Sequence, residues 1–298
     1  MDFSTFLQQF FNSLSLGAMY ALIAIGYTMI YGVLRLINFA HGDIMMVGAF
    51  VAFLIGNYLG FGLLGSSLLA IAFCALLGVA TDKIAYKPIR HAPRISLLIT
   101  AIGVSFFLEN FVNVVLGGAP TAFLVPDFFE KPMHFMGAVI LPLGFIVPII
   151  TVLLLVIVLL VLYKTKYGMA IRALAFDIKT VSLMGIDSNM IISIVFAMGS
   201  SLAAVGGIFW AISYPIITPY MGTLIGLKAF AAAVLGGIGS VTGAVIGGLI
   251  LGFAEVMSVA FFPNLGGYKD AIAFIFLILV LLFRPTGIMG INFEKSRF

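Results

Sequence analysis

Five ionisable side chains, His41, Asp43, Glu109, Lys228 and Glu255, interrupt long apolar runs in a chain of 298 residues, of which only 9% are Asp, Glu, Lys or Arg. An ionised group at mid-bilayer costs roughly 2.5 to 3.5 kcal/mol or more unless it finds a partner or water, so such residues mark either ion pairs or a polar route. Lys228 with Glu255 or Glu109 fits an interhelical ion pair or a lysine snorkelling to the interface, and also a polar lining of a translocation path. His41 and Asp43 sit where an apolar run begins, which suits helix capping and the positive end of a helix dipole. Asn38, Asn110, Asn113 and Thr100 are comparable uncharged candidates.

Enzyme chemistry finds little to work with. A lone H-x-D is weak as a metal site, because no further His or Cys ligands cluster with it. The other histidines, His91 and His134, fall in loops. A nucleophile and a base, or a set of metal ligands, would have to converge at one depth, and the sequence does not bring them together. No Gly-Lys pair occurs, so the chain has no P-loop with which to hold nucleotide phosphates. No catalytic, cofactor or metal site is expected.

The elements that carry these residues are helices. With 63% hydrophobic residues and a mean hydropathy of +1.25, the chain has too little polar surface for a water-soluble globule. Apolar runs fall near residues 13–34, 38–59, 62–81, 95–116, 139–163, 190–212, 222–239, 241–262 and 270–283. About 20 residues cross the hydrocarbon as a helix, and these runs are too apolar on every face for barrel strands. The reading is all-α: a polytopic transmembrane helical bundle of eight or nine segments forming one membrane domain over 1–298. The second run opens with His41 and Asp43 and the seventh is short and Gly-rich, so at least one of them is expected to be broken or re-entrant. The start MDFSTFLQQFF lacks a basic region, so its apolar segment is expected to be retained. Cys74 lies in an apolar run and reads as a packed thiol.

Most of the basic residues, 11 of 15, gather in three stretches: Lys83, Lys87, Arg90 and Arg94; Lys164, Lys166, Arg172 and Lys179; and Arg284, Lys295 and Arg297, leaving Arg35, Lys131, Lys228 and Lys269 outside them. The positive-inside rule puts all three on the cytoplasmic side, and with them the C-terminus. The same rule accounts for the net charge of +4 without invoking nucleic acid.

Between the second pair of basic flanks runs KTKYGMAIRALAFDIKTVSLMGIDSN, residues 164–189. Gly168 loosens the exit from the preceding helix, 169–184 reads as one short helix, and Gly185 suits its C-cap. Ile171, Leu174, Ala175, Ile178 and Val181 recur at spacings of three and four, with Arg172, Asp177 and Lys179 on the remainder. Such a helix either lies in the headgroups or on its own bundle, or docks into a groove of a cytoplasmic subunit. In the Gly-rich region, Gly239, Gly243 and Gly247 repeat every fourth residue, as do Gly248 and Gly252, which fits close helix packing. The cluster Gly236, Gly237, Gly239 and Ser240 marks a break between helices that fits either packing or a transport path.

The segments INFAHGD (37–43), YKPIR (86–90), the short helix region 164–189 and KAFAAAVLGGIGSVTGAVIGGLILG (228–252) resemble, in order and along nearly the whole chain, LivH-type permease subunits of high-affinity branched-chain amino acid ABC transporters. The resemblance implies a bacterial inner-membrane permease without its own ATPase, importing leucine, isoleucine and valine by alternating access. It implies as partners the lipid bilayer, a second homologous permease in a heterodimer, two cytoplasmic ATPase subunits that hold ATP and Mg, and a periplasmic amino acid-binding protein. Gly168 to Gly185 would then carry the coupling helix. The alternative from another class is an ion-coupled secondary amino acid transporter using Glu109, Glu255 or Asp43 as its ion site.

Overall fold

The structure, a computed structural model, describes residues 2–90 and 92–290, so His91, Lys295 and Arg297 lie outside the described residues. It opens with α1 (Phe3–Leu34), α2 (Ala40–Leu59) and α3 (Leu63–Thr81), the last running on through a π turn and a 3-10 turn to Ile89. There follow α4 (Arg94–Leu116), β1 (Thr121–Ala122), α5 (Asp127–Glu130), β2 (Met133–Phe135), β3 (Ala138–Ile140) and α6 (Leu143–Lys164). The second half holds α7 (Lys166–Phe176), α8 (Ile178–Leu183), α9 (Ser188–Ser213), β4 (Ile216–Ile217), α10 (Met221–Gly236), α11 (Val241–Phe261) and α12 (Lys269–Phe283). Eight of the described helices are long and apolar enough to cross a membrane. The fold is a polytopic helical bundle.

The core forms where α1 lies against α11 and α9, and small residues set how closely they approach. A Cβ on Gly248 would sit 2.6 Å from the Ala21 backbone nitrogen, and one on Gly252 would strike Gly17. Gly243 and Gly247 press instead on the α10 backbone at Gly236 and Ala232. Gly239 does not join this stripe. It lies in the turn between α10 and α11 at φ +100, with nothing within 4 Å of a would-be Cβ, because the chain reverses there and Ser240 caps α11 by accepting from the Gly243 amide at 3.1 Å. Replacing Gly252 with leucine should overpack the α1–α11 contact and cost about 1 to 3 kcal/mol, read as a lower midpoint in thermal unfolding of the detergent-solubilised chain.

Several ends differ from the sequence expectation. α1 starts at Phe3 rather than near residue 13, because its polar first turns are held from the side: the Phe11 ring lies 4.4 Å from that of Phe145 and 6.3 Å from that of Phe135 on β2. The run from residue 139 is not helical at its start, since 138–140 pair with Met133–Phe135 as a hairpin and Pro142 sets the helix N-cap. Short as it is, α10 is not re-entrant. Its 16 residues span about 24 Å, and they run from Tyr220, bonded to Asn113 near one end of α4, to Gly236 and Gly237, which meet Met289 and Gly290 beyond α12 at the other.

The second run forms one continuous helix, α2, and what is irregular is the chain that leads into it. His41 lies against Gly26, eight residues before α1 ends, so the non-helical 35–39 climbs about 12 Å back into the bundle before α2 begins. The N-terminus of α2 therefore opens inside the membrane domain.

Lys83, Lys87 and Arg90 share one end of the bundle with Lys164, Lys166, Arg172 and Arg284. Arg90 donates to Asn189 at the start of α9, and Arg172 faces the turn at Gly239 that meets residues 287–290. The loops carrying Asp127, Glu130 and Lys131 occupy the opposite end, where β1 pairs with β4.

Candidate functional site

Three groups of buried polar side chains cross the bundle. At the basic end, Asp82 accepts from Arg90 at 2.6 Å and from Ser193 at 2.7 Å, tying the turn after α3 to α9. The Tyr86 hydroxyl donates to Asn38 Oδ1 at 2.6 Å, which anchors the climbing segment before α2. Arg90 was read only as part of a basic cluster and Asp82 did not stand out, since both border a loop where charge is ordinary.

Deeper in, Lys228 on α10 bonds Glu255 on α11 at 2.8 Å and pairs with Asp270 on α12 at 2.5 Å, and its ammonium lies 5.8 Å from the Tyr20 ring centroid. The Tyr20 hydroxyl donates to the second Glu255 oxygen at 2.9 Å. The side chains of Lys228 and Glu255 are 4% and 5% exposed. Of the pairings open to the sequence, Glu255 is the partner and Glu109 is not, because Glu109 projects from α4 on the other side of α10 and receives the Thr223 hydroxyl. Tyr20 and Asp270 were missed: a tyrosine in an apolar run and an acid at a helix start carry no signal until the fold brings them together.

The third group lies where α2, α4 and α10 meet. Ser105 donates to Asp43 Oδ2 at 2.5 Å, Thr223 to Glu109, and Asn113 to the Tyr220 hydroxyl at 2.9 Å. Gly42 lets α2 touch α10, since a Cβ there would lie 2.8 Å from the Gly226 Cα. His41 and Asp43 are not the N-cap of α2: Phe39 holds that position without a side-chain cap hydrogen bond, and the two residues fall at the second and fourth positions of the helix. Asp43 still benefits from the positive end of the α2 dipole. His41 is fully buried and packs edge-on to Tyr27 at 4.6 Å. Asn110 is exposed on α4 and bonds only its own helix at Phe106. Among the described residues, no cluster of three or more His, Cys, Asp or Glu has the arrangement to hold a metal ion. Cys74 is buried against the Ile44 carbonyl at 3.7 Å.

The segment between α6 and α9 is two helices rather than one. Asp177 is extended at φ −153 and ψ 108 and parts α7 from α8, while Gly185 ends the segment at φ +81. Gly168 is not a loosened exit. Thr165 breaks the chain and caps α7 by accepting from the Gly168 amide at 3.0 Å, and Gly168 has no Cβ because the carbonyls of Val161 and Leu162 lie against it. Ile171, Leu174 and Val181 are buried, with Ala175 and Ile178 partly so, which means the apolar stripe is covered by the chain's own bundle. What faces outward is a different set: Phe176, Leu183 and Met184 are 86%, 88% and 75% exposed at the basic end. Behind α7 a cleft of about 340 Å³ opens between α1, α6 and the turn before α11, lined by Gly32, Leu162, Arg172, Ala175 and Gly239. The Arg172 guanidinium covers the Tyr163 ring at 5.0 Å.

Residues 9–281 match the family model described as branched-chain amino acid transport system / permease component. The chain belongs to this family. The permease is 42% identical over 302 residues, 97% of each chain, to the high-affinity branched-chain amino acid transport system permease protein LivH of Escherichia coli K12. It is 43% identical over 298 residues, 96% of each chain, to the corresponding protein BraD of Pseudomonas aeruginosa. A more distant relative is the ribose import permease protein RbsC of Escherichia coli K12, 28% identical over 253 residues, with 82% of the permease and 75% of the relative covered. Eight apolar helices and this membership make the permease a multi-pass membrane protein.

Proposed function

We propose that the permease is the non-catalytic membrane subunit of an ABC importer that carries leucine, isoleucine and valine into the bacterial cytoplasm by alternating access. The observation that carries this reading is 42% identity along 97% of both chains to a relative named for high-affinity branched-chain amino acid transport. A second homologous permease pairs with it, two ATPase subunits holding ATP and Mg dock from the cytoplasm, and a periplasmic binding protein delivers the substrate. The basic end is the cytoplasmic one, since Lys and Arg near helix ends are held inside.

Coupling runs through α7 and α8. Large apolar side chains exposed beyond the membrane need a protein partner to leave water, and Phe176, Leu183 and Met184 form such a set at the basic end. The cleft behind α7 gives that helix room to shift when the ATPases close, and the buried face at Ile171 and Leu174 passes the shift to the bundle. The small packing glycines Gly247, Gly248 and Gly252 keep α1, α10 and α11 moving as one unit.

Expression of the tagged permease with its partners should bring down an ATPase and a second multispanning chain. Vesicles holding the assembly should take up leucine with ATP present even when ionophores collapse the proton and sodium gradients. Uptake that stops with the gradient while ATP is maintained would instead favour the ion-coupled carrier.

A further inference from the structure

The acids at the polar groups of the bundle fall into two kinds. Asp82 has Arg90, and Glu255 and Asp270 share Lys228. Asp43 and Glu109 have no ion pair among the described residues, although Asp43 is fully buried and Glu109 is 6% exposed. Their contacts are hydroxyls, from Ser105 and Thr223. The two acids meet adjacent residues of α10: Asp43 Oδ1 lies 2.6 Å from where a Cβ on Gly222 would sit, and Glu109 accepts from the Thr223 hydroxyl. The dipole of α2 offsets part of the charge on Asp43, but Glu109 sits mid-helix on α4 and has no such help. Two carboxylates buried together without a cation are relieved either by a proton on one of them or by a positive ligand between them, and a ligand does so while keeping both ionised.

Two further observations say where such a ligand enters. The second oxygen of Asp43, Oδ1, is buried without a hydrogen-bond partner and is aimed at Gly222, one residue before the Thr223 that holds Glu109. Ser105, Glu109 and Asn113 lie four residues apart on one face of α4, a polar row about 12 Å long that ends at Tyr220 on the end opposite the basic clusters. A cation arriving from that end meets Asn113 and Tyr220, then Glu109, then Asp43.

We propose that Asp43 and Glu109 form a site for the α-ammonium of the transported amino acid, with Thr223 and Ser105 covering the carboxylates until the ammonium displaces them. The inference rests on the proposed import of amino acids. Its chemistry favours an ammonium over a metal ion, since two carboxylates and two hydroxyls offer too few charged ligands for a tight divalent site, whereas an ammonium needs only three acceptors.

The test uses the assembled transporter in vesicles. Glu109→Gln and Asp43→Asn should each lower leucine uptake roughly 10- to 100-fold, the range expected for losing a hydrogen bond to a charged group, with subunit assembly and ATP hydrolysis unchanged within two-fold. Uptake within two-fold of the parent in both variants overturns the site. A measurement on the unaltered protein guards against variants that fail to assemble: labelling of Glu109 by dicyclohexylcarbodiimide, read by mass spectrometry. Isopentylamine should protect Glu109 and 4-methylpentanoate should not. Equal labelling with and without the amine, or equal protection by sodium ion, overturns the proposal. An assembly that carries no leucine while isopentylamine still protects Glu109 would sink the amino acid reading and leave the cation site standing.

Discussion

Lys228→Met should destabilise the permease by about 3 to 5 kcal/mol, the usual consequence of removing one partner from a buried ion pair and leaving the other charge behind. The abandoned group is Glu255, whose side chain is 5% exposed and keeps only the Tyr20 hydroxyl. Asp270 suffers less, because its side chain is 40% exposed and can turn to water. Truncation of Lys228 also releases the bridge between α10 and α12, whose remaining hold on the bundle is Ala273 and the partly buried Phe274, Phe276, Leu277 and Val280. The double substitution Lys228→Met with Glu255→Met should recover most of the loss, since an apolar pair of similar volume needs no desolvated charge. Thermal unfolding of the detergent-solubilised single and double variants forms the cycle that measures this. If the single variant unfolds where the parent does, the ion pair contributes nothing to stability and the polar group belongs to a path rather than to the scaffold.

The spans were legible because the bilayer imposes a length and a composition that local sequence records directly. Eight of the nine runs became long apolar helices, and the ninth, near 222–239, became the shorter α10. Ends were harder to read where tertiary contacts decided them. Nothing local to 3–12 says that Phe145 will hold Phe11, and so extend α1. The apolar stripe at Ile171, Leu174 and Val181 was visible as periodicity, but periodicity does not say what covers a stripe. The bundle itself covers it, which moves the exposed surface to side chains that looked incidental. Polar pairs were the least legible. Lys228 was singled out, yet choosing Glu255 over Glu109 needed the packing of α10 between α4 and α11, and Asp270, Ser105 and Thr223 gained meaning only from it.

Placing charge on the outward face of the α7–α8 unit, by Phe176→Glu together with Leu183→Glu, should cost the assembly its ATPase while leaving the permease folded. Both side chains are more than 80% exposed, so neither supports the bundle and their loss is tolerated in the isolated chain. In a docked partner each would be buried, and burying a large apolar side chain contributes about 1.5 to 3 kcal/mol. Removing two corresponds to roughly 10²- to 10⁴-fold weaker binding, before the added charge is counted. Ile171→Glu is the contrasting change, since Ile171 faces inward and its substitution should lower the unfolding midpoint instead. The two classes separate by measuring ATPase co-purification and thermal stability on the same preparations. A Phe176→Glu, Leu183→Glu protein that still retains its ATPase and transports leucine normally would show that the exposed apolar set meets lipid headgroups, and that coupling passes through another part of the basic end. Loss of binding at an unchanged unfolding midpoint is the expected result, because only a surface outside the fold's own core can be altered in this way without the bundle responding.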